Sequence, residues 1–333
     1  MRTDPAVALL VALAAALGWA GAAAPAAAQE SAAPVTCRVG AFLITVTAFD
    51  PAADTFDADL WLWSVCPNGT RRPLETMEFV NAEAVETRLA SAIPRDTAVW
   101  SQHKVRGTFR HDWDERAYPF DHHALEIVLE EGVEDAAHFR YEPDTADTTY
   151  DPALRLPGWT ITGFALTPSL AHYPTAFGDP AQATGTGSDY SRLTLVIELA
   201  RTDLASFFKL TAVVYAAFVL SLGAYVMHLE SPHVLGTQLG LLAAALFAAA
   251  VSLRTASEAL SNANGLTLVD AIHIVVLLYI LIAFAVIVGG RLLEERGWPA
   301  ARVAHLNYRT AAIAVASFLA INAVLIGLAV RAS

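Results

Sequence analysis

Within AYPFDHHALEIVLEE, residues 117–131, an aspartate and two histidines stand in a row: Asp121, His122 and His123. Carboxylates and imidazoles bind metals and move protons near neutral pH. With His111 and Asp112 a loop earlier, the group has the residue types of a metal centre or a hydrolase. The spacing argues against both. Adjacent residues of a strand point to opposite faces, so His122 and His123 are poorly placed to close on one ion. The group shows no His-x-x-x-His or Glu-x-x-His spacing, and the chain has no Gly-x-Ser-x-Gly elbow. The expectation is no enzyme, no metal and no cofactor. Asp121 is then a corner residue at the start of a strand, and His122 and His123 are ordinary strand residues.

The elements around the corner read as strands. Pro119 has no N–H to give a ladder, so it marks a strand entrance, with Tyr118 and Phe120 as apolar plugs. Leu125, Ile127 and Leu129 then share one face, with Glu126 and Glu130 on the other. Further alternating runs lie at residues 98–109, 137–142, 158–167 and 190–200. In the last, Leu193, Leu195, Ile197 and Leu199 share a face. Turn-rich segments separate the runs and no long amphipathic helix interrupts them, the pattern of an antiparallel β-sandwich. Residues 168–189, rich in small residues, read as one long mobile connection.

Cys37 and Cys66 are the only two cysteines. Between them lies a hairpin pattern, with Phe42, Ile44 and Val46 on one face of its first strand and Phe56, Ala58, Leu60 and Leu62 on one face of its second. Folded about Pro51 and Ala52, facing residue numbers sum to 103, as 37 and 66 do. The two sulfurs then meet across the hairpin as a disulfide; two unpaired thiols are the alternative.

The net charge of −12 excludes a nucleic-acid partner, which calls for clustered Lys and Arg. Residues 1–28 read as a signal peptide cut after Ala28, or else as an uncleaved anchor. Residues 30–205 form the exported domain, and residues 206–333 hold four apolar segments, at about 207–229, 233–254, 267–290 and 310–330. Each reaches the ~20 residues that span a bilayer. Arg291, Arg296, Arg302 and Arg309 place the 291–309 loop in the cytoplasm of a plasma (inner) membrane protein, with Glu230-Ser231-Pro232 on the same side. The fold expected is thus an antiparallel β-sandwich followed by a four-helix transmembrane bundle.

Tyr118-Pro119-Phe120-Asp121, the alternating strand after it and four spans in this order resemble the bacterial branch of the pentameric ligand-gated ion channels. The segments FDPAADTF, MEFVNAEA, PGW at 157–159, Arg201 and LTLVD at 266–270 are similar too. The family's proline in the first membrane helix is missing, and the second helix is unusually alanine-rich. The resemblance implies a homopentamer whose second helices line a pore for permeating ions, with Thr237, Leu241, Ala244, Phe247 and Val251 as pore-lining candidates. It implies an agonist, a small molecule or protons, with His172, Tyr173 and Phe177 of the long connection as ligand candidates. It also places Asp121 beside Arg201, near Asp50 or Asp54, to couple the outer domain to the pore. The polar residues Thr237, Gln238, Ser252 and Thr255 mark the second helix as the best pore candidate. Two other readings stay open: a non-conducting sensor or assembly subunit of the same architecture, and a membrane-anchored hydrolase.

Overall fold

Alternating runs become strands where a second layer can bury one of their faces. In this computed structural model residues 33–67, 71–180, 185–227, 234–260 and 265–332 are described; the signal-peptide reading and Glu230-Ser231-Pro232 lie outside them. β1 (Val35–Asp50) and β2 (Thr55–Pro67) form a hairpin. β5 (Ala98–Arg110) and β4 (Ala82–Arg95) extend that sheet beyond β2, and β7 (Phe139–Pro143) and β8 (Thr149–Tyr150) pair with β1. The second sheet runs β3 (Met77–Phe79), β6 (His122–Glu131), β10 (Ser188–Arg201) and β9 (Trp159–Tyr173). One helical turn, α1 (Pro73–Thr76), leads into β3. The two sheets close on Leu60, Leu62, Leu125, Ile127, Leu129, Leu193, Leu195, Ile197 and Leu199, all essentially inaccessible.

The sandwich departs from an all-antiparallel one at β1, which pairs in parallel with β7 and β8. The chain crosses from the second sheet after β6 and so enters beside β1 running the same way. The Cys37–Cys66 disulfide is formed. Arg38 faces Val65 and Leu43 faces Leu60, pairs that sum to 103. Nearer the turn, two irregularities in β1 move the register, and Asp50 faces Thr55. The first of them also switches which side chains face inward. Cys37, Val39, Ala41 and Leu43 are buried, then Val46, whereas Phe42 and Ile44 are only half-buried. The expected face of Phe42, Ile44 and Val46 is therefore corrected, while the Phe56, Ala58, Leu60 and Leu62 face of β2 is observed.

Four helices follow: α2 (Leu204–Val226), α3 (Val234–Ala259), α4 (Leu268–Glu295) and α5 (Ala300–Ala332), each long and apolar enough to cross a membrane. Asp203 caps α2 by accepting from the Ser206 N–H at 3.1 Å. Thr267 and Asp270 form a reciprocal capping box on α4. The connection within residues 291–309 is short: Arg291 to Glu295 end α4, and α5 begins at Ala300, ten residues before the apolar run. Hydropathy misses this extension because AARVAHLNYR is polar, yet nothing in it breaks a helix after Pro299.

Candidate functional site

The corner of residues 115–121 sits between the two layers of the molecule. The Tyr118–Pro119 peptide is cis. Tyr118, 4% exposed, packs into the apolar cluster of the helices with Phe207, and Phe120 packs beside it. The backbone ties the corner to two further elements: Leu268 N–H donates to Arg116 O at 3.1 Å, and Arg201 N–H to Asp121 O at 3.2 Å. The corner thus touches the end of β10, the root of α2 and the start of α4 at once.

Arg201 is the hub. Its Nε lies 2.8 and 2.9 Å from the two Asp121 oxygens, and its Nη2 donates to Glu115 Oε1 at 3.3 Å. Its guanidinium carbon lies 4.2 Å from the Trp159 ring centre and 4.8 Å from that of Tyr118. A flat, weakly hydrated cation suits such a place, held at its edge by carboxylates and on its faces by aromatics. Gly158, at φ +81°, turns the chain into β9 so that Trp159 reaches this position. Asp121 is 1% exposed at its side chain and Arg201 14%. Burial pushes the Asp121 carboxyl up, but the hydrogen bonds from His123 and Arg201 outweigh it, and the net shift is downward.

Behind Asp121 the histidines come together. His123 Nε2 lies 3.0 Å from Asp121 Oδ2, and His123 Nδ1 lies 3.1 Å from His111 Nε2. An ionised carboxylate only accepts, so His123 Nε2 carries a proton, and His111 Nε2 donates to His123 Nδ1 in the neutral ladder. Trp113, 1% exposed, covers both rings at 4.7 and 4.8 Å. Burial and the neighbouring His123 lower the His111 pKa to about 4, against the opposing pull of Asp112. His123 is thus no ordinary strand residue, whereas His122 is exposed. The signal was present: His123 has the odd-number parity of Leu125, Ile127 and Leu129, and so points inward. No group of three or more metal-ligating side chains occurs among the described residues.

Asp50 and Asp54 do not join this cluster. Asp50 accepts from the Ala52 and Ala53 N–H groups of its own turn, and Asp54 takes a left-handed φ of 54° at the turn's end. Glu115 stands where the sequence reading put a hairpin aspartate. A cavity of about 410 Å³ opens beside the cluster, lined by Glu115, Arg201, Trp159, Asp203, Lys209 and the end of α3 at Leu260, among others.

The ligand candidates lie at the far end of the sandwich. His172 and Tyr173 are not in a loop: β9 runs to Tyr173 and β10 starts at Ser188, because Ser188 and Tyr173 pair as ladder partners. His172 Nδ1 lies 2.7 Å from Asp189, and Tyr173 donates to Glu130 at 2.7 Å. Glu130 is buried and also takes Arg192 Nε at 2.7 Å. Phe177, largely exposed, meets Tyr173 and Tyr190 at ring separations of 5.3 and 6.1 Å. Tyr190 and Glu130 join these contacts, which sequence reasoning did not assemble.

On α3, Gln238, Leu242, Ala245, Ala249, Ser252 and Ala256 are buried against the other helices. Gln238 donates to Ala224 O at 2.8 Å, and Ser252 meets His273 of α4 at 2.9 Å. Those two polar residues therefore hold helix to helix and do not face a lumen. Thr237, Ala244, Phe247 and Val251 are exposed along another face, with Leu241 half-buried. Arg254 and Glu258 pair on the exposed surface at 2.9 Å. Compared with known proteins, the chain matches no family model and no curated sequence.

Proposed function

We propose that the chain is one subunit of a homopentameric ligand-gated ion channel in the plasma (inner) membrane, with its sandwich on the periplasmic or extracellular side and α3 lining the pore. The observation that carries this reading is the junction: a largely buried Arg201 joins the sandwich corner to the root of α2, while the same corner binds the start of α4. A displacement of the sandwich has a stiff path to the helices through such a contact. Two exposed surfaces support assembly. α3 exposes Thr237, Ala244, Phe247 and Val251 on one face. The edge strand β4 exposes Val85, Leu89 and Ile93, apolar residues that an edge open to water avoids.

In this reading agonist binds near Tyr173, Phe177, Tyr190 and His172, and the Asp121–Arg201 contact transmits its effect. The chain needs no cofactor and performs no catalysis. Recording currents from reconstituted protein, while pH and a panel of small amines and carboxylates are varied, tests it. The alanine-rich α3 favours the non-conducting alternative, and a purified pentamer silent under every condition would establish that reading instead.

A further inference from the structure

We propose that Glu115 is a proton-binding site, and that proton uptake there loosens the sandwich from the root of α2; the second clause rests on the channel reading, the first does not. The Glu115 side chain is 5% exposed. Its Oε1 takes one hydrogen bond from Arg201, and its Oε2 is buried with no partner. Glu115, Asp121 and Arg201 bring two carboxylates to one guanidinium, leaving one negative charge in excess. An ionised carboxylate with a dry, unpaired oxygen costs far more than the neutral acid.

The partners decide which acid takes the proton. Asp121 holds Arg201 Nε with both oxygens and His123 besides, whereas Glu115 has a single bond at 3.3 Å. Facing Glu115 are Arg201 from β10 and, from the corner and β6, Asp121 and His123. Across the cavity lie Asp203 and Lys209 at the root of α2, of opposite sign, while α3 presents Ala259 and Leu260 and the β1 side Phe49 and Pro51. Burial pushes the Glu115 carboxyl above the usual range; Arg201 and His123 pull against it, and Asp121 adds to it. A metal ion or an ammonium would also cancel the charge, but Oε2 is closed to water and so to anything larger than a proton.

Protonation removes the charge that draws Arg201 toward Glu115 and leaves Arg201 to Asp121. The contact to residue 115 weakens, and the cavity of about 410 Å³ gives the root of α2 room to shift. The sign follows from a raised carboxyl. Its stabilising contribution is full below the ordinary value of 4.5 and is lost as pH rises through the higher folded value.

pH-difference infrared spectroscopy of the reconstituted protein reads the C=O stretch of a protonated carboxyl without requiring conduction. Wild type is expected to show a protonated-acid band that titrates away at a pH above that of an exposed glutamate. Glu115→Gln is expected to lack it. A band fully retained in Glu115→Gln, or absent from wild type above the ordinary range, overturns the site. If the glutamine variant does not assemble, Glu115→Asp must move the band's midpoint, and an unmoved midpoint overturns the site equally. A band belonging to Glu115 beside a wild-type pH profile of current in Glu115→Gln overturns the loosening step. The same band in a protein that never conducts supports the site and removes the channel reading alone.

Discussion

Arg201→Ala puts the junction to its hardest test. The substitution leaves Asp121 and Glu115, with side chains 1% and 5% exposed, as two buried carboxylates without their shared cation. Stranding one buried partner of an ion pair costs about 3–5 kcal/mol. The reverse change is milder. Asp121→Ala leaves Arg201 with Glu115 at 3.3 Å and the faces of Trp159 and Tyr118, so its cost falls below that of Arg201→Ala. The two changes must interact. Once Arg201 is gone, removing Asp121 relieves one of two repelling acids, so Asp121→Ala becomes neutral or stabilising in that background. The double mutant should therefore recover about 1–3 kcal/mol relative to the sum of the singles. Thermal unfolding of the detergent-solubilised protein, followed by tryptophan emission, gives all corners of the cycle. Equal costs for Asp121→Ala with and without Arg201 would refute the shared-cation account, and normal gating by Asp121→Ala would refute its coupling role.

Unreduced protein should show no free thiol on labelling, and replacing both cysteines should cost ~3–4 kcal/mol for a closed loop of 29 residues; labelling of both thiols in the folded form would contradict this. Cysteines placed at Thr237, Ala244 and Val251 should react with water-soluble thiol reagents while those at Leu242, Ala245 and Ala249 stay protected, a period of about 3.6 residues. Uniform protection along α3 would count against a pore. Because the His111 pKa is depressed to about 4, its contribution to stability is present above 6.5 and drains away as pH falls from there to about 4. Allowing for the partial exposure of its ring, the loss is ~1–2 kcal/mol, and a pH-dependent melting series should flatten over that window in His111→Gln.

Which local patterns were legible follows from what each residue can know of its surroundings. A strand beside a filled core announces itself, because every second residue must be apolar; so β2, β6 and β10 could be read, with the disulfide and the four apolar helices. Even there, locality failed wherever the structure broke a period: a bulge after Leu43 switched the inward face of β1, and β4, an edge strand exposed along almost its whole length, carries no alternation to detect. The long connection shortened because ladder bonds carry β9 on to Tyr173, an extension that small residues do not advertise. The corner divides most sharply. Its proline, aspartate and inward parity stand in the sequence, and the resemblance pairs Asp121 with Arg201. Glu115, Trp159 and the two edge-on histidines join them only through tertiary structure. Arg201 and Glu115 are 86 positions apart, and sheet pairing, not any local spacing, sets their separation. Which carboxylate is left with an unpaired oxygen depends on what that packing encloses, and no run of residues encodes it.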